Sequence, residues 1–174
     1  MPEAATYSTV LTLRDGRTIE IRALRPADRD DLMAAVGRTS GDSLYRRFFS
    51  PRRRFTETEV TFFVDVDFVN HVALVAVTQE GGRSVIIGTG RYIVVKPGQA
   101  EVAFAVMDDY QGRGIGSALV QHLVAIARGA GLQELIADVL PENIAMRKVF
   151  EKCGLPLTMR RDRGVVHIAL RLCS

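Results

Sequence analysis

The stretch from Gln111 to Ser117, with the sequence Q-G-R-G-I-G-S, combines three glycines with one arginine. Glycine lets the backbone approach a ligand with its N–H groups exposed, and an arginine side chain can pair with phosphate. The stretch therefore predicts a binding site for a phosphorylated ligand. It has no lysine, which a G-x-x-x-x-G-K-[ST] loop requires, and Ser117 stands where a dinucleotide-binding fingerprint has its third glycine. The alternative is a glycine turn that only lets a helix pack on a sheet.

Two elements would position this stretch. Residues 100–107 alternate larger apolar side chains with smaller ones, which predicts a strand, whereas residues 115–128 repeat apolar side chains at the i, i+3, i+4, i+7 spacing of a helix. The first turn of that helix would add free N–H donors and a partial positive charge next to the glycines. Strand, glycine turn and helix would together present several N–H groups to a phosphate.

The remaining elements follow one another without internal repeats or long linkers. Asp15-Gly16 between two alternating runs predicts an N-terminal hairpin, and Thr56 followed by Glu59 has the pattern of a helix N-cap. The predicted strands are 10–13, 18–22, 72–77, 85–95, 100–107, 135–140, 157–161 and 165–172, and the predicted helices are 28–38, 43–49, 56–63, 115–128 and 144–152. With the N-terminal hairpin written as one β, the order is βαααβββαβαββ. This order predicts an α/β (α+β) fold with a mixed sheet and helices on both faces.

Length and composition predict one globular domain over residues 1–174. Hydrophobic residues make up 47% of the chain and charged residues 25%, and no apolar run approaches the ~20 residues of a membrane span. The N-terminus has no basic region followed by an apolar run, so it predicts no secretory signal. The two cysteines and three histidines lack the spacing of a disulfide framework or a metal site. We therefore expect a cytoplasmic protein with no membrane contact and no bound metal.

Arginine dominates the basic residues, and the net charge is +3. Five arginines cluster in one short segment, namely Arg46, Arg47, Arg52, Arg53 and Arg54. One interpretation is a surface for anions or an acidic partner, and the other is an ordinary solvated face. No nucleic-acid-binding motif accompanies the cluster, so we expect no nucleic-acid partner.

The glycine stretch resembles the pyrophosphate-binding motif of the GNAT superfamily of acetyl-CoA-dependent N-acetyltransferases, usually written Q/R-x-x-G-x-G/A. The earlier run I-R-A-L-R-P-A-D-R-D-D-L is similar to the opening of many GNAT domains. The block A-E-V-A-F-A-V-M-D-D-Y-Q-G-R-G-I-G-S, followed by V-L-P-E-N-I-A-M-R-K-V-F-E-K-C-G-L, is most similar to the acetyltransferase domain of bacterial protein lysine acetyltransferases. The resemblance covers residues 9–172. It implies the GNAT fold with a central, mostly antiparallel sheet, acetyl-CoA as cosubstrate and a primary amine as acceptor.

The resemblance also implies the binding residues. The pyrophosphate of coenzyme A would lie against the stretch made of Gln111, Gly112, Arg113, Gly114, Ile115, Gly116 and Ser117. Phe104, Ala105 and Val106 would run beside the pantetheine arm as an added strand does. The N–H of Val106 would then hold the negative charge that develops on the thioester oxygen. Asn143 would face the pantetheine, cap the following helix, or do both.

Glu101 is the implied catalytic base, because it lies ten residues before Gln111, where the protein lysine acetyltransferases place their glutamate. Strand alternation puts Glu101 on one face with Ala103 and Ala105, and such apolar surroundings would raise its pKa toward neutrality, which improves a base. The alternative is a solvated residue at a strand end. Asp138 is the second candidate, since it carries the only charge predicted for its short apolar strand.

Phe150 departs from the family pattern, because many members carry at this position a tyrosine that protonates the leaving thiolate. Either the thiolate leaves without a side-chain acid, which a thiol pKa of ~8–9 permits, or another group serves. Cys153 lies nearby in the sequence, although a buried structural role is the simpler interpretation.

The predicted function is acetyl transfer from acetyl-CoA to a primary amine, by direct attack in a ternary complex, with a protein lysine as the expected acceptor. Acetylation of small-molecule amines, a non-catalytic acyl-CoA-binding module and a nucleic-acid-associated protein are the alternatives. The protein would be a monomer or a homodimer of bacterial type.

Overall fold

The computed structural model describes residues 3–37 and 57–172. The strands in this part of the chain are β1 (Ser8–Thr12), β2 (Thr18–Ala23), β3 (His71–Glu80), β4 (Arg83–Lys96), β5 (Gln99–Val106), β6 (Glu134–Val139), β7 (Leu157–Asp162) and β8 (Val165–Arg171). The α-helices are α1 (Arg29–Gly37), α2 (Glu57–Val64), α3 (Ile115–Gly129) and α4 (Ile144–Glu151). The predicted helix 43–49, the Thr56 N-cap and the arginine cluster of residues 46–54 lie outside the described residues.

The eight described strands form one sheet in the order β1-β2-β3-β4-β5-β6-β8-β7. Neighbouring strands are antiparallel except β5 and β6, which run parallel. The predicted mixed, mostly antiparallel sheet is therefore confirmed. A parallel pair needs a crossover connection, and α3 supplies it between β5 and β6.

Helices cover both faces of the sheet, as predicted. α3 packs so closely on β4 that a Cβ at Gly90 would lie 2.9 Å from the Leu123 side chain, so this position of the strand favours glycine. From the next position of β4, the Arg91 side chain donates to the Phe63 carbonyl of α2 at 3.0 Å. Successive strand residues point to opposite faces, so α3 and α2 lie on opposite sides of the sheet. We call these sides the α3 face and the α2 face.

α3 forms as its apolar periodicity predicts. Its buried side is made of Ile115, Ala118, Leu119, Val120, Leu123, Val124 and Ala127. The helix ends before Gly131, whose φ of +83° lies in the left-handed region that helix C-termini commonly use. None of the helices in the described ranges is both long and apolar enough to cross a membrane.

The hairpin of β3 and β4 is longer than the sequence predicted. The apolar alternation ended at residue 77 and resumed at residue 85, whereas β3 runs to Glu80 and β4 begins at Arg83. The pairs Gln79↔Ser84 and Glu80↔Arg83 continue the ladder with polar side chains. Backbone pairing does not need apolar side chains, so the strands continue beyond the part of the sheet that helices cover.

Candidate active site

The parallel strands β5 and β6 separate after three residue pairs. Their described ladder consists of Gln99↔Glu134, Ala100↔Leu135 and Glu101↔Ile136. β5 nevertheless continues to Val106 and β6 to Val139. The strand edges beyond Glu101 and Ile136 therefore border a gap in the sheet, which we call the β5–β6 fork.

The peptide groups of Phe104 and Val106 face this fork. The N–H of Met107 donates to the Ile87 carbonyl of β4 at 2.8 Å, so the alternation of a strand directs the N–H groups of Val106 and Phe104 away from β4. The Val106 carbonyl accepts a hydrogen bond from Gln111 Nε2 at 3.0 Å on the same side. Of the predicted pantetheine residues, Phe104 and Val106 thus present backbone groups to the fork, whereas the peptide groups of Ala105 face β4. The Gln111 side chain bonds the carbonyl of Val106.

The glycine stretch joins β5 to the N-terminus of α3, as predicted. Gly112 and Gly114 have φ values of +76° and +87°, and a Cβ at either position would meet nothing within 4 Å. Their backbone conformation, rather than protein packing, therefore requires glycine, and the space beside them is open. Gly116 lies in the first turn of α3, where a Cβ would be 3.5 Å from Phe104 and Val149. The first N–H groups of α3 and the edge of β5 consequently border the same space.

Arg113 contacts a part of the chain that sequence reasoning did not connect with the site. Its NH1 atom lies 2.7 Å from Oδ2 of Asp15, in the turn between β1 and β2. In the same turn, Arg17 NH1 donates to the Tyr110 hydroxyl at 2.7 Å, and that hydroxyl donates to Glu80 Oε2 at 2.7 Å. The N–H of Arg17 and the Arg113 guanidinium hold the pKa of Asp15 below its ordinary value. Burial and the Glu80 carboxylate raise the pKa of Tyr110.

Glu101 lies where the fork opens. Glu101 is only 3% exposed. Its cross-strand neighbours on the α2 face are Ile93 of β4 and Ile136 of β6. The alternative interpretation, a solvated residue at a strand end, is therefore wrong. A carboxylate here has an apolar cross-strand neighbour on each side and lies beside the peptide groups that border the fork.

Asp138 does not fit the prediction of a lone charge in an apolar strand. β6 also includes Glu134, and Asp138 Oδ1 lies 2.6 Å from Nδ1 of His167, its cross-strand partner in β8. Both side chains are partly exposed. Asp138 shares the α2 face with Glu101 and lies two residues farther along the strand than Ile136. Sequence reasoning missed His167, because its pairing partner cannot be read from residue spacing.

Three residues in and beside α4 were singled out from the sequence, namely Asn143, Phe150 and Cys153. The side chain of Asn143 caps α4, with Oδ1 accepting the Met146 N–H at 3.2 Å, so the capping interpretation is confirmed. Phe150 is 1% exposed, and its ring centroid lies 5.3 Å from that of Phe104. It is a core residue beneath β5. Cys153 is half-buried against the same core, in agreement with a structural role.

A buried basic pair lies on the α2 face near the fork. Arg91 is fully buried, which lowers its pKa to about 9, and its NH1 atom lies 2.9 Å from Nε2 of His71. Arginine can only donate, so Nε2 accepts and the imidazole is neutral. Burial and the neighbouring Arg91 charge lower the pKa of His71 to about 4. Sequence reasoning did not identify this pair, which ties β3 and β4 to the end of α2.

Within residues 3–37 and 57–172, no three His, Cys, Asp or Glu side chains group as a metal site requires.

The His71 environment predicts a loss of stability in acid. The pKa of His71 falls from 6.5 to about 4 on folding, so the neutral form is favoured in the folded state. Its contribution is present above pH 6.5 and is lost as the pH falls toward 4, by about 2.5 kcal/mol at pH 4.5. His71→Gln keeps an acceptor for Arg91 but cannot titrate. Urea unfolding at pH 7.5 and 4.5 should show a smaller acid loss in this variant than in the wild type.

His167→Gln is the matched control, because His167 is a partly exposed histidine on the same face. The backbone N–H groups that hold the Asp67 carboxylate keep its pKa below the ordinary value, so Asp67 stays ionised in the folded protein at both pH values. An acid loss of equal size in the wild type and His71→Gln would contradict the assignment.

The comparisons with known proteins agree with one another. A family model described as the acetyltransferase (GNAT) family matches residues 41–155. Acetyltransferase Pat of Mycolicibacterium smegmatis is 38% identical over 158 residues, which cover 88% of this chain and 46% of that protein. The chain thus spans about half of the length of this relative. Acetyltransferase PA5475 of Pseudomonas aeruginosa is 32% identical over 154 residues, covering 88% of this chain and 82% of that protein.

A solved structure is similar over almost the entire chain. The crystal structure of the GNAT domain of S. lividans PAT has a TM-score of 0.82 and 37% sequence identity. The match covers 94% of this chain and 96% of that domain.

Proposed function

Because the chain belongs to the acetyltransferase (GNAT) family, we propose that it transfers the acetyl group of acetyl-CoA to the side-chain amine of a protein lysine. Acetyl transfer from acetyl-CoA is the activity of the family. The lysine acceptor and the residue roles below are the parts that we add. The observation that carries the proposal is the β5–β6 fork, which opens beside the glycine stretch and begins at the buried Glu101.

The chain would bind acetyl-CoA with groups from the glycine stretch, from β5 and from the start of α4. N–H groups of residues 112–117 would surround the pyrophosphate, where the partial positive charge of the α3 N-terminus favours an anion. The pantetheine arm would lie in the fork along Phe104, Ala105 and Val106, as a peptide strand adds to a sheet edge. The Val106 N–H would stabilise the negative charge that develops on the thioester oxygen. Asn143, at the start of α4, would close the other side of the arm.

Glu101 would act as the catalytic base from the α2 face. A lysine amine has a pKa near 10.4, so at neutral pH it is almost entirely protonated and must lose a proton before it can attack. An amine that approaches the fork from the α2 face meets Glu101 where β5 and β6 separate. The buried Phe150 side chain has no proton to donate, so the thiolate would leave without a side-chain acid from α4.

The protein acceptor rests on similarity along the chain. The motif block resembles the protein lysine acetyltransferases, and the PAT domain of S. lividans matches with coverage above nine-tenths in both directions. Substrate choice lies in side chains around the acceptor, and a shared fold alone does not determine it. A direct comparison of acceptors is therefore the decisive experiment.

The experiment measures thiol release from acetyl-CoA with folded lysine-rich proteins, lysine peptides, spermidine, an aminoglycoside and free lysine. We expect kcat/KM to be greatest for a folded protein, with acetyl-lysine identified by mass spectrometry. The same protein with its lysines chemically acetylated beforehand is the control and should release no thiol above background. Turnover of a small amine that exceeds every protein by orders of magnitude would replace the lysine proposal. Binding of acetyl-CoA without turnover of any acceptor would favour a non-catalytic module.

A further inference from the structure

We infer that Arg17 and Arg113 together bind the 3′-phosphate of coenzyme A, so that the turn between β1 and β2 is part of the cosubstrate site. The inference rests on the proposed use of acetyl-CoA. It adds a residue, Arg17, that lies 94 positions before the start of the glycine stretch, and it explains why that turn contacts the stretch.

Tyr110 contacts both arginines. The guanidinium carbon of Arg17 lies 5.4 Å from the centroid of the Tyr110 ring, and that of Arg113 lies 5.5 Å from the same centroid. The ring itself is buried and its hydroxyl bonds both Arg17 and Glu80, so the anchor is fixed. Two exposed guanidinium groups are thus positioned at the edge of the glycine stretch.

The two phosphate-bearing parts of coenzyme A would use different donors. The N–H groups of residues 112–117 are available to the pyrophosphate, whereas the Arg113 side chain extends from the stretch toward Asp15. One ribose separates the pyrophosphate from the 3′-phosphate, so the second anion must lie a short distance outside the first. Planar guanidinium groups suit a terminal phosphate, which offers three oxygens to bidentate hydrogen bonds.

Asp15 is the partner that Arg113 would exchange for the phosphate. The Arg113–Asp15 pair is exposed, with side-chain exposures of 40% and 44%, and an exposed ion pair is weak in water. The 3′-phosphate carries more charge than one carboxylate and can displace it. The carboxylate meanwhile keeps its hydrogen bond from the Arg17 N–H, at 2.9 Å to Oδ1, which maintains the turn.

The test compares acetyl-CoA with acetyl-dephospho-CoA, which lacks only the 3′-phosphate. Calorimetry gives the ratio of the two dissociation constants for each variant. In the wild type we expect acetyl-CoA to bind about tenfold more tightly. The ratio should fall several-fold in Arg17→Gln and in Arg113→Gln, and approach one in the double variant. Arg14→Gln removes a charge from the same turn and serves as the matched control, with a ratio close to that of the wild type.

Both dissociation constants in each ratio are measured on the same variant. A general loss of stability in that variant affects both constants equally and therefore cancels in the ratio. Asp15→Asn keeps the acceptor for the Arg17 N–H and removes the competing charge, and it should raise the ratio. A wild-type ratio near one, a ratio that Arg17→Gln leaves unchanged, or a lower ratio in Asp15→Asn would overturn the inference. If both cosubstrates bind and react equally, this inference fails while the proposed function stands. If neither binds, both fail.

Discussion

Replacing Glu101 with glutamine is expected to lower kcat by ~10²–10⁴-fold at neutral pH, the usual contribution of a general base. Glutamine preserves the shape of the side chain but cannot take a proton. Because Glu101 lies where the fork opens and is remote from the glycine stretch, the dissociation constant of acetyl-CoA should change little. The loss would therefore appear in kcat with the cosubstrate affinity retained.

The pH profile distinguishes a base from a residue that only shapes the site. As the pH rises, the acceptor amine loses its proton unaided, so the deficit of Glu101→Gln should shrink toward the amine pKa of ~10.4. A variant with a distorted site would keep its deficit at every pH. Steady-state kinetics from pH 6.5 to 9.5 with one protein acceptor would separate the two results.

Two neighbouring carboxylates, one as a control and one as the rival base, complete the test of Glu101. Glu134 lies on the same face at the closed end of the fork, where Oε1 accepts from Gln99 Nε2 at 2.6 Å. Glu134→Gln makes the same chemical change and should leave kcat near that of the wild type. Asp138→Asn tests the second candidate base. A loss below about threefold in Glu101→Gln, with a larger loss in Asp138→Asn, would transfer the role to Asp138.

The fold and the strand, turn and helix around the glycine stretch were largely predictable, because they depend on local patterns. The alternation of residues 100–107, the glycines and the helical spacing after Gly114 identified the strand, turn and helix. Each signal comes from neighbouring residues whose side chains share a face. The fork was not predictable from those patterns, since alternation shows which face a residue occupies but not where a neighbouring strand stops pairing.

The contacts that sequence reasoning missed join residues far apart in the chain. Arg113 and Asp15 are 98 positions apart, and His167 and Asp138 are 29 apart. Arg91 and His71 occur in apolar strands, where a single basic residue gives no sign of its partner. Each pair is created by strand order and register. The resemblance implied the order of elements along the chain, whereas the order of strands in the sheet and the register of individual pairs became known only from the structure.

Gly114→Glu is expected to weaken acetyl-CoA binding by at least about a hundredfold. The residue is the N-cap of α3, and its missing Cβ faces open space beside the first N–H groups of the helix. A carboxylate placed there would stand next to the proposed pyrophosphate. Two like charges 4 Å apart repel by about 4 kcal/mol at an effective dielectric of 20, which solvent and salt would reduce. The left-handed backbone would cost roughly another 1–2 kcal/mol of folding stability.

Gly131→Glu separates these two effects, because it makes the same substitution at the other end of the same helix. Gly131 has a φ of +83°, and its Cβ would also meet nothing within 4 Å. The backbone cost should match that at Gly114, and a negative charge at a helix C-terminus adds an unfavourable interaction of roughly 0.3–1 kcal/mol. The control is therefore at least as destabilised. It lies about 22 Å from the glycine stretch, given the 1.5 Å rise of each helical residue.

Calorimetry should show near wild-type affinity for acetyl-CoA in Gly131→Glu and a large loss in Gly114→Glu. Equal affinities in the two variants would exclude the N-terminus of α3 as the pyrophosphate site.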